Sequence, residues 1–385
     1  MRVLVTTFPA VGHVHPAIPL AQELVAAGHE LQWATGQDGC ALVRDAGLPA
    51  LAAGWEAPQA RIEYFRRHPE ARELMPEQLP AHMFPYLFGE IAAAKMLPDL
   101  LAIVEAWLPD IVVHVAGELA GPIAAARIGV PNVCQGYGAL VQPERVAAAA
   151  ELVAPLWRLV GLEPRPWAGC YDHLYLDIYP PSLRPSYGAH VLHRASMRPV
   201  PFSVDLSNDA EPIGTLEGEG PLVYLTFGTV FNASDGPFGV ALDGLATLAT
   251  RLLVTVGPNG DPAAFGPRPS NVTIRRYVPQ TIVLPHCSLV VSHAGSGTFL
   301  AALDQGLPQL CLPQAADQFT NAAQCAAAGA GLVLMPHEIT PDAVRSAAIR
   351  ILEDPAYADY ADLRIMPTSD PGPLRGGVGG LRLSA

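Results

Sequence analysis

The sequence predicts an α/β protein of two doubly wound parallel-sheet domains facing each other across a cleft, and three observations predict it. The chain opens as strand, helix, strand: an apolar run at Arg2–Thr7, a helical stretch at Ala17–Ala27 stopped by Gly28, and a second strand at Glu30–Ala34. Such a crossover builds a parallel sheet whose ligands sit at the carboxyl ends of its strands. A second strand-led series starts at Leu222–Thr226, after a stretch from Arg198 to Gly220 with the Pro and Gly content of a linker. At 385 residues the chain is long enough to bury two cores. The expected division is a first domain over residues 1–198, a linker over 199–220, a second domain over 221–366 and an atypical tail over 367–385.

Composition narrows the function. Half the residues are hydrophobic and 15% are charged, which fits a compact enzyme rather than a disordered chain. Lys and Arg number 23 against 36 Asp and Glu, a net charge of −13, so a polyanionic nucleic-acid partner is repelled. A small anion held by backbone N–H groups is still allowed, because that attraction is local. The six cysteines, Cys40, Cys134, Cys170, Cys287, Cys311 and Cys325, contain no C-x-x-C pair. They imply neither a zinc site nor a disulfide framework and read as buried thiols in a reducing compartment. The N-terminal apolar run is broken at Pro9 and His13, too early for a signal peptide, and no apolar run reaches the ~18 residues of a membrane span. The expected location is the cytoplasm.

In the first half, the loop Phe8–His15 follows the opening strand. It holds only Gly12 of a G-x-G-x-x-G, which counts against a nicotinamide or flavin site, and carries His13 and His15 instead. An imidazole titrates near neutral pH and suits general-base work, although a loop histidine also serves as an ordinary turn residue. From Trp55 to Trp107 the pattern weakens, and Arg61–Pro80 reads as a mobile loop with short helices over the cleft. Met83, Phe84, Tyr86 and Phe88 are candidates for an apolar pocket or for ordinary core. Strands follow at Ile111–Val115 and Asn132–Cys134, with a helix at Ala120–Gly129 between them. Glu118 is the nearest carboxylate to the end of the first of these strands, either as an acid beside the cleft or as the start of the next helix. Tyr137 leaves the second strand toward the cleft. A helix at Glu144–Gly161 and a strand at Leu174–Ile178 close the domain.

In the second half, Phe227-Gly228-Thr229 leaves its strand through a Gly turn. Strands are expected at Arg251–Val256, Asn271–Arg275, Leu289–Val291, Gln309–Cys311 and Gly331–Leu334. Between the third and fourth of these, a small-residue loop at Ser292–Gly297 enters a helix at Thr298–Gln305. A helix entered through Gly295, Ser296, Gly297 and Thr298 leaves its first N–H groups unpaired at the positive end of its dipole, so it can hold a phosphate. His293 can donate to the same anion. The same small residues also serve any tight strand-to-helix turn. Pro341–Leu352 is a good helix, whereas the Gly- and Pro-rich 367–385 lacks helical periodicity and is expected to be disordered.

The segment from Tyr277 to Asn321 resembles the donor-binding signature of glycosyltransferases with two Rossmann-like domains, the GT-B fold. More narrowly it is similar to the family 1-type bacterial enzymes that glycosylate natural products from nucleotide-activated deoxysugars, and D-I-Y-P-P-S-L at 177–183 carries the same resemblance. The resemblance implies a nucleobase against Tyr277 and the backbone of Val278, and a diphosphate at His293, Gly297 and Thr298 with Gly228 and Thr229 nearby. It implies sugar hydroxyls at Asp317 and Gln318. Plant relatives place a ribose-binding Glu three residues after Thr298, where this chain has Ala301. His13 in G-H-V-H-P falls on the family's general base, and its usual Asp partner falls on apolar Val115.

The expected activity is therefore metal-independent sugar transfer of the hexosyltransferase type, with inversion. Its donor is a dTDP- or UDP-sugar as co-substrate rather than a cofactor. Its acceptor is a small, largely apolar natural product bound by Phe8, Phe84, Tyr86 and Tyr137. No D-x-D is present to hold Mg²⁺ against a diphosphate. No metal, nucleic-acid or membrane partner is expected, and a homodimer is allowed. The rivals are a sugar-nucleotide epimerase or hydrolase of the same plan, and a helper protein with a vestigial site.

Overall fold

The structure, a computed structural model, describes residues 1–202, 217–228, 236–257 and 260–361. Thr229, the middle of the expected linker and the tail 367–385 lie outside the described residues. The first sheet holds β1 (Arg2–Thr6), β2 (Glu30–Thr35), β3 (Ala50–Ala52), β4 (Ile111–Val115), β5 (Asn132–Gln135), β6 (Leu174–Asp177) and β7 (Arg194–Ser196). The second holds β8 (Leu222–Thr226), β9 (Arg251–Thr255), β10 (Val272–Arg275), β11 (Leu289–Ser292), β12 (Gln309–Cys311) and β13 (Gly331–Val333).

The strand orders are β3-β2-β1-β4-β5-β6-β7 and β10-β9-β8-β11-β12-β13, and every neighbouring pair is parallel. In each sheet the order reverses once, between β1 and β4 and between β8 and β11. That reversal splays the flanking loops apart and leaves a crevice at the strand ends. The central strands are buried on both faces, as parallel strands under two helical layers must be: Val3, Leu4 and Val5 are each almost fully buried, as are Val223, Tyr224 and Leu225. β3 and β7, three residues each, had no counterpart in the sequence reading.

Arg61–Pro80 is more ordered than its prolines suggest. It falls within a helix at Ala57–Arg67, a 3₁₀ turn at Pro69–Glu73 and a helix that begins at Leu79. Ala60 and Tyr64 bury one face of the first helix, while Glu63 bonds both Arg66 and Arg67 at helical spacing on the other. Phe84–Ala92 is then π-helical, and Ala93–Trp107 continues as α-helix through Pro98. Gly89 allows close packing, because a Cβ there would lie 3.3 Å from Ala149 O in the helix Pro143–Leu159. Packing against that helix overrides the local breakers.

The two sheets are joined by a shared apolar cluster as well as by the chain. Ile178, Tyr179 and Leu183 of the first half pack with Phe299, Leu300 and Leu303 of the second. Tyr179 Oη donates to Asn321 Oδ1 at 3.1 Å, and exposed Arg198 reaches both oxygens of Asp304 at 3.1 Å. Among the described residues no helix is long and apolar enough to cross a membrane.

Candidate functional site

The loops at the two order reversals face one cavity of about 900 Å³. His13 lines it from the first half; Gly228, His293 and the helix start at Ser296 line it from the second.

His13 sits on a helical turn, Val11–Val14, rather than in an open loop. Its amide donates to Ala10 O at 2.8 Å, and Gln135 at the end of β5 fixes the following turn by donating to Pro16 O at 2.7 Å. Tyr137, Phe88 and Phe8 surround the imidazole, with ring centroids 4.4, 5.3 and 5.6 Å away. Gly117, at φ +90, lets the β4 end approach the ring closely: a Cβ there would lie 3.2 Å from His13 Cε1. Burial among these rings pushes the imidazole down to about 4, against a smaller opposing effect of the Ala116 backbone. The ring is thus neutral at physiological pH. His15 also lines the cavity, edge-on to Phe202 at 5.2 Å.

No carboxylate pairs with His13 among the described contacts. Val115, at the end of β4, is buried in the core. The two readings of Glu118 separate here. Its carboxylate accepts from Thr6 Oγ1 at 2.5 Å and from the amides of Ala120 and Gly121 at 2.8 and 2.9 Å. It caps the helix Gly121–Ile128 and does not line the cavity, which corrects its placement beside His13.

In the second half, β11 ends at Ser292 and the chain turns through Ala294, a non-glycine residue at φ 60. Such a left-handed residue is held only by surrounding bonds. Ala294 N donates to Ser292 Oγ at 3.0 Å, and Asn321 Nδ2 donates to Ala294 O at 2.9 Å. The helix Ser296–Asp304 starts at extended Gly295 with no side chain capping it. Ser296, Gly297 and Thr298 line the cavity, and the Ser296 backbone also hydrogen-bonds the Asp317 carboxyl, leaving the following amides at the positive end of the helix dipole. His293 is held down to about 4 by burial. Its ring lies under Gly228, where a Cβ would come within 3.1 Å of it.

Tyr277 lines the rim at 38% exposure, and Val278 beneath it is buried. Gln280, which sequence reading passed over, donates to Thr298 Oγ1 at 2.8 Å and also lines the cavity. Asp317 accepts from Ser296 Oγ at 2.5 Å and from Asn321 Nδ2 at 3.2 Å, and burial pushes its carboxyl upward. Gln318 lines the cavity, but its side-chain oxygen already accepts from the amides of Gln314 and Ala315 at 2.7 and 2.9 Å. Only its NH₂ is left to face a ligand. Ala301, where plant relatives carry an acid, lines the cavity with a methyl group.

The expected apolar pocket is partly redrawn. Phe84, Phe88, Met83 and Tyr137 line the cavity, joined by Leu140 and Tyr187 from loops that carried no sequence signal. Phe8 supports the wall from behind through Phe88, 5.2 Å away edge-to-face. Tyr86 does not line the cavity; it lies on His68 and His82, with ring centroids at 4.2 and 4.6 Å.

Comparison with known proteins finds relatives along most of the chain. The family model for the N-terminal domain of erythromycin biosynthesis protein CIII-like proteins matches residues 22–204, and that for their C-terminal domain matches 240–375. The chain is 34% identical to the L-demethylnoviosyl transferase of Streptomyces niveus over 91% of this chain and 89% of the relative. It is 32% identical to an elloramycin glycosyltransferase of Streptomyces olivaceus over 95% of this chain and 94% of the relative. Spinosyn rhamnosyltransferase SpnG with thymidine diphosphate superposes with a TM-score of 0.79 at 28% identity, covering 94% of this chain and 95% of SpnG. The glycosyltransferase VinC with dTDP superposes with a TM-score of 0.77 at 26% identity, covering 94% of each chain.

Proposed function

The chain belongs to the erythromycin biosynthesis protein CIII-like family, GT-B glycosyltransferases of natural-product biosynthesis, and from that premise we propose that it is an inverting, dTDP-deoxysugar-dependent enzyme with His13 as general base. The observation that carries this reading is the single cavity lined by His13 from one sheet and by the helix start at Ser296–Thr298 from the other. Two bound structural relatives hold thymidine diphosphate, which favours a dTDP donor over UDP.

In this mechanism the diphosphate rests on the amides at Gly297 and Thr298 beside His293, and the base lies against Tyr277 and Val278. The acceptor occupies the aromatic wall of Phe84, Phe88 and Tyr137. His13 takes the proton from the acceptor hydroxyl as its oxygen attacks the anomeric carbon from the face opposite the diphosphate. The bond to the leaving oxygen breaks as the new glycosidic bond forms, and the helix amides take up the charge on the departing dTDP. Asp317, with Ser296 and Asn321 fixing its rotamer, and the NH₂ of Gln318 meet the sugar hydroxyls.

The test is incubation with dTDP- and UDP-sugars, with and without aromatic and macrocyclic acceptors. Transfer that requires an acceptor supports the reading. Donor consumption without an acceptor would make the enzyme a hydrolase or epimerase instead. Binding of dTDP with no turnover would make the chain a helper protein.

A further inference from the structure

Outside the cleft, the helical insertion of the first half gathers a second cluster. His68 follows the helix Ala57–Arg67, Glu70 lies in the 3₁₀ turn Pro69–Glu73, and His82 lies in the helix Leu79–Met83. One ligand-type atom from each lies within 4.8 Å of the other two, and among the described residues this is the one such group. His68 Nδ1 is 3.2 Å from Glu70 Oε1, and His82 Nε2 is 3.5 Å from that same oxygen. Tetrahedral zinc with bonds of about 2.0–2.2 Å sets its ligand atoms roughly 3.3–3.6 Å apart. The two spacings to Glu70 Oε1 lie close to that edge.

The outer nitrogens are already engaged. His68 Nε2 is 2.8 Å from Glu90 Oε2, and His82 Nδ1 is 2.7 Å from the hydroxyl of buried Tyr64. Arg67 holds the other Glu90 oxygen at 3.2 Å. A metal-binding imidazole characteristically donates its second N–H to a carboxylate or another oxygen, which fixes the tautomer and turns the free lone pair to the ion. Here both rings have that partner, and both remaining nitrogens turn toward Glu70. The ring of Tyr86 lies against both imidazoles.

We propose that His68, Glu70 and His82 bind one zinc ion, with Glu90 and Tyr64 orienting the two imidazoles and water completing the coordination on the exposed Glu70 side. Two imidazoles and a carboxylate suit zinc among the common divalent ions. The ion has no part in sugar transfer. It would pin the turn at Pro69–Glu73 to the helix Leu79–Met83, which carries Pro80 and Met83 into the wall of the cavity just before Phe84.

The experiment is titration of the tag-free, chelator-treated full chain with CoCl₂ and with ZnCl₂. The expected result is one equivalent of Co²⁺ giving the visible spectrum of a low-coordinate nitrogen–oxygen site, displaced by one equivalent of Zn²⁺. The thermal midpoint should rise with Zn²⁺ and return when the metal is chelated. His82→Ala and Glu70→Gln should remove the stoichiometric site, while Glu90→Gln should weaken it by roughly 10–100-fold. Glu70 is exposed, so Glu70→Gln decides the matter even where a histidine variant does not fold. Absence of binding at micromolar Zn²⁺, or a spectrum and stoichiometry unchanged in Glu70→Gln, overturns the proposal. Neither result bears on sugar transfer.

Discussion

The hydroxyl of Tyr179 in the first half donates to Asn321 Oδ1 in the second, and the amide of that same Asn321 donates to Ala294 O, Ser296 Oγ and Asp317 Oδ2. One buried side chain thus ties the seam between the halves to the turn before the helix start. Tyr179→Phe removes one neutral hydrogen bond, expected to cost about 1 kcal/mol. Asn321→Ala strands several buried polar groups at once and should lower the thermal midpoint further, at roughly 1–3 kcal/mol. Denaturation of both variants, with and without dTDP, checks the order, and only Asn321→Ala should also weaken dTDP binding.

His13→Ala should reduce sugar transfer by roughly 10²–10⁴-fold while leaving dTDP binding nearly intact, because in the proposed mechanism the ring takes a proton and does not hold the donor. Steady-state rates beside a dTDP titration separate the two effects. Undiminished turnover would remove the general-base assignment.

The pH profile should carry the mark of the aromatic box. As the proposed base His13 would work in its neutral form, and it is held down to about 4, so the acid limb of kcat/KM should lie well below the ordinary histidine range of about 6.5. So weak a base is matched to an acidic hydroxyl, and aryl acceptors should outperform alkyl alcohols. Rates across pH with one acceptor of each kind test both statements.

Stability should fall with acid for the same physical reason. His13, His114 and His293 are each held down to about 4 by burial, so between pH 6.5 and 4 the unfolded chain binds more protons than the folded one. Their contribution is complete above 6.5 and is lost as pH falls toward 4, by up to roughly 3 kcal/mol per residue. His114 lies in the core outside the cavity. His114→Gln should therefore flatten the fall in thermal midpoint without moving the acid limb of the rate.

Gly138 should accept no side chain. A Cβ there would collide with Ser296 Oγ across the cleft. Gly138→Val is expected to raise the donor KM more than it lowers the thermal midpoint, measured on the same preparation.

Much of this was legible because strand ends in parallel sheets are written locally. Small residues at 294–298 and the His-bearing turn after β1 each announce a strand that stops and exposes backbone. The wall of the acceptor side was not legible. Arg61–Pro80 reads as a loop broken by prolines, yet helices form on both sides of Pro69, and helix continues through Pro85 and Pro98 beyond it. Once the segment is helical, Phe84 and Phe88, four residues apart, share the face that reaches the cavity, while Tyr86 between them turns to the histidine cluster. Glu118 was ambiguous for a different reason: an acid before a helix fits both a cleft and a cap, and only the positions of Thr6, Ala120 and Gly121 choose between them.

The apolar seam of Ile178, Tyr179 and Leu183 against Phe299, Leu300 and Leu303 also bears on engineering. Hybrids that graft a foreign acceptor half onto this nucleotide half must import a matching surface at those three positions. A junction placed after β7 honours that requirement only if the incoming partner presents the same hydrophobic relief. A mismatched hybrid would expose greasy surface at the joint and precipitate, whatever the quality of its two pockets.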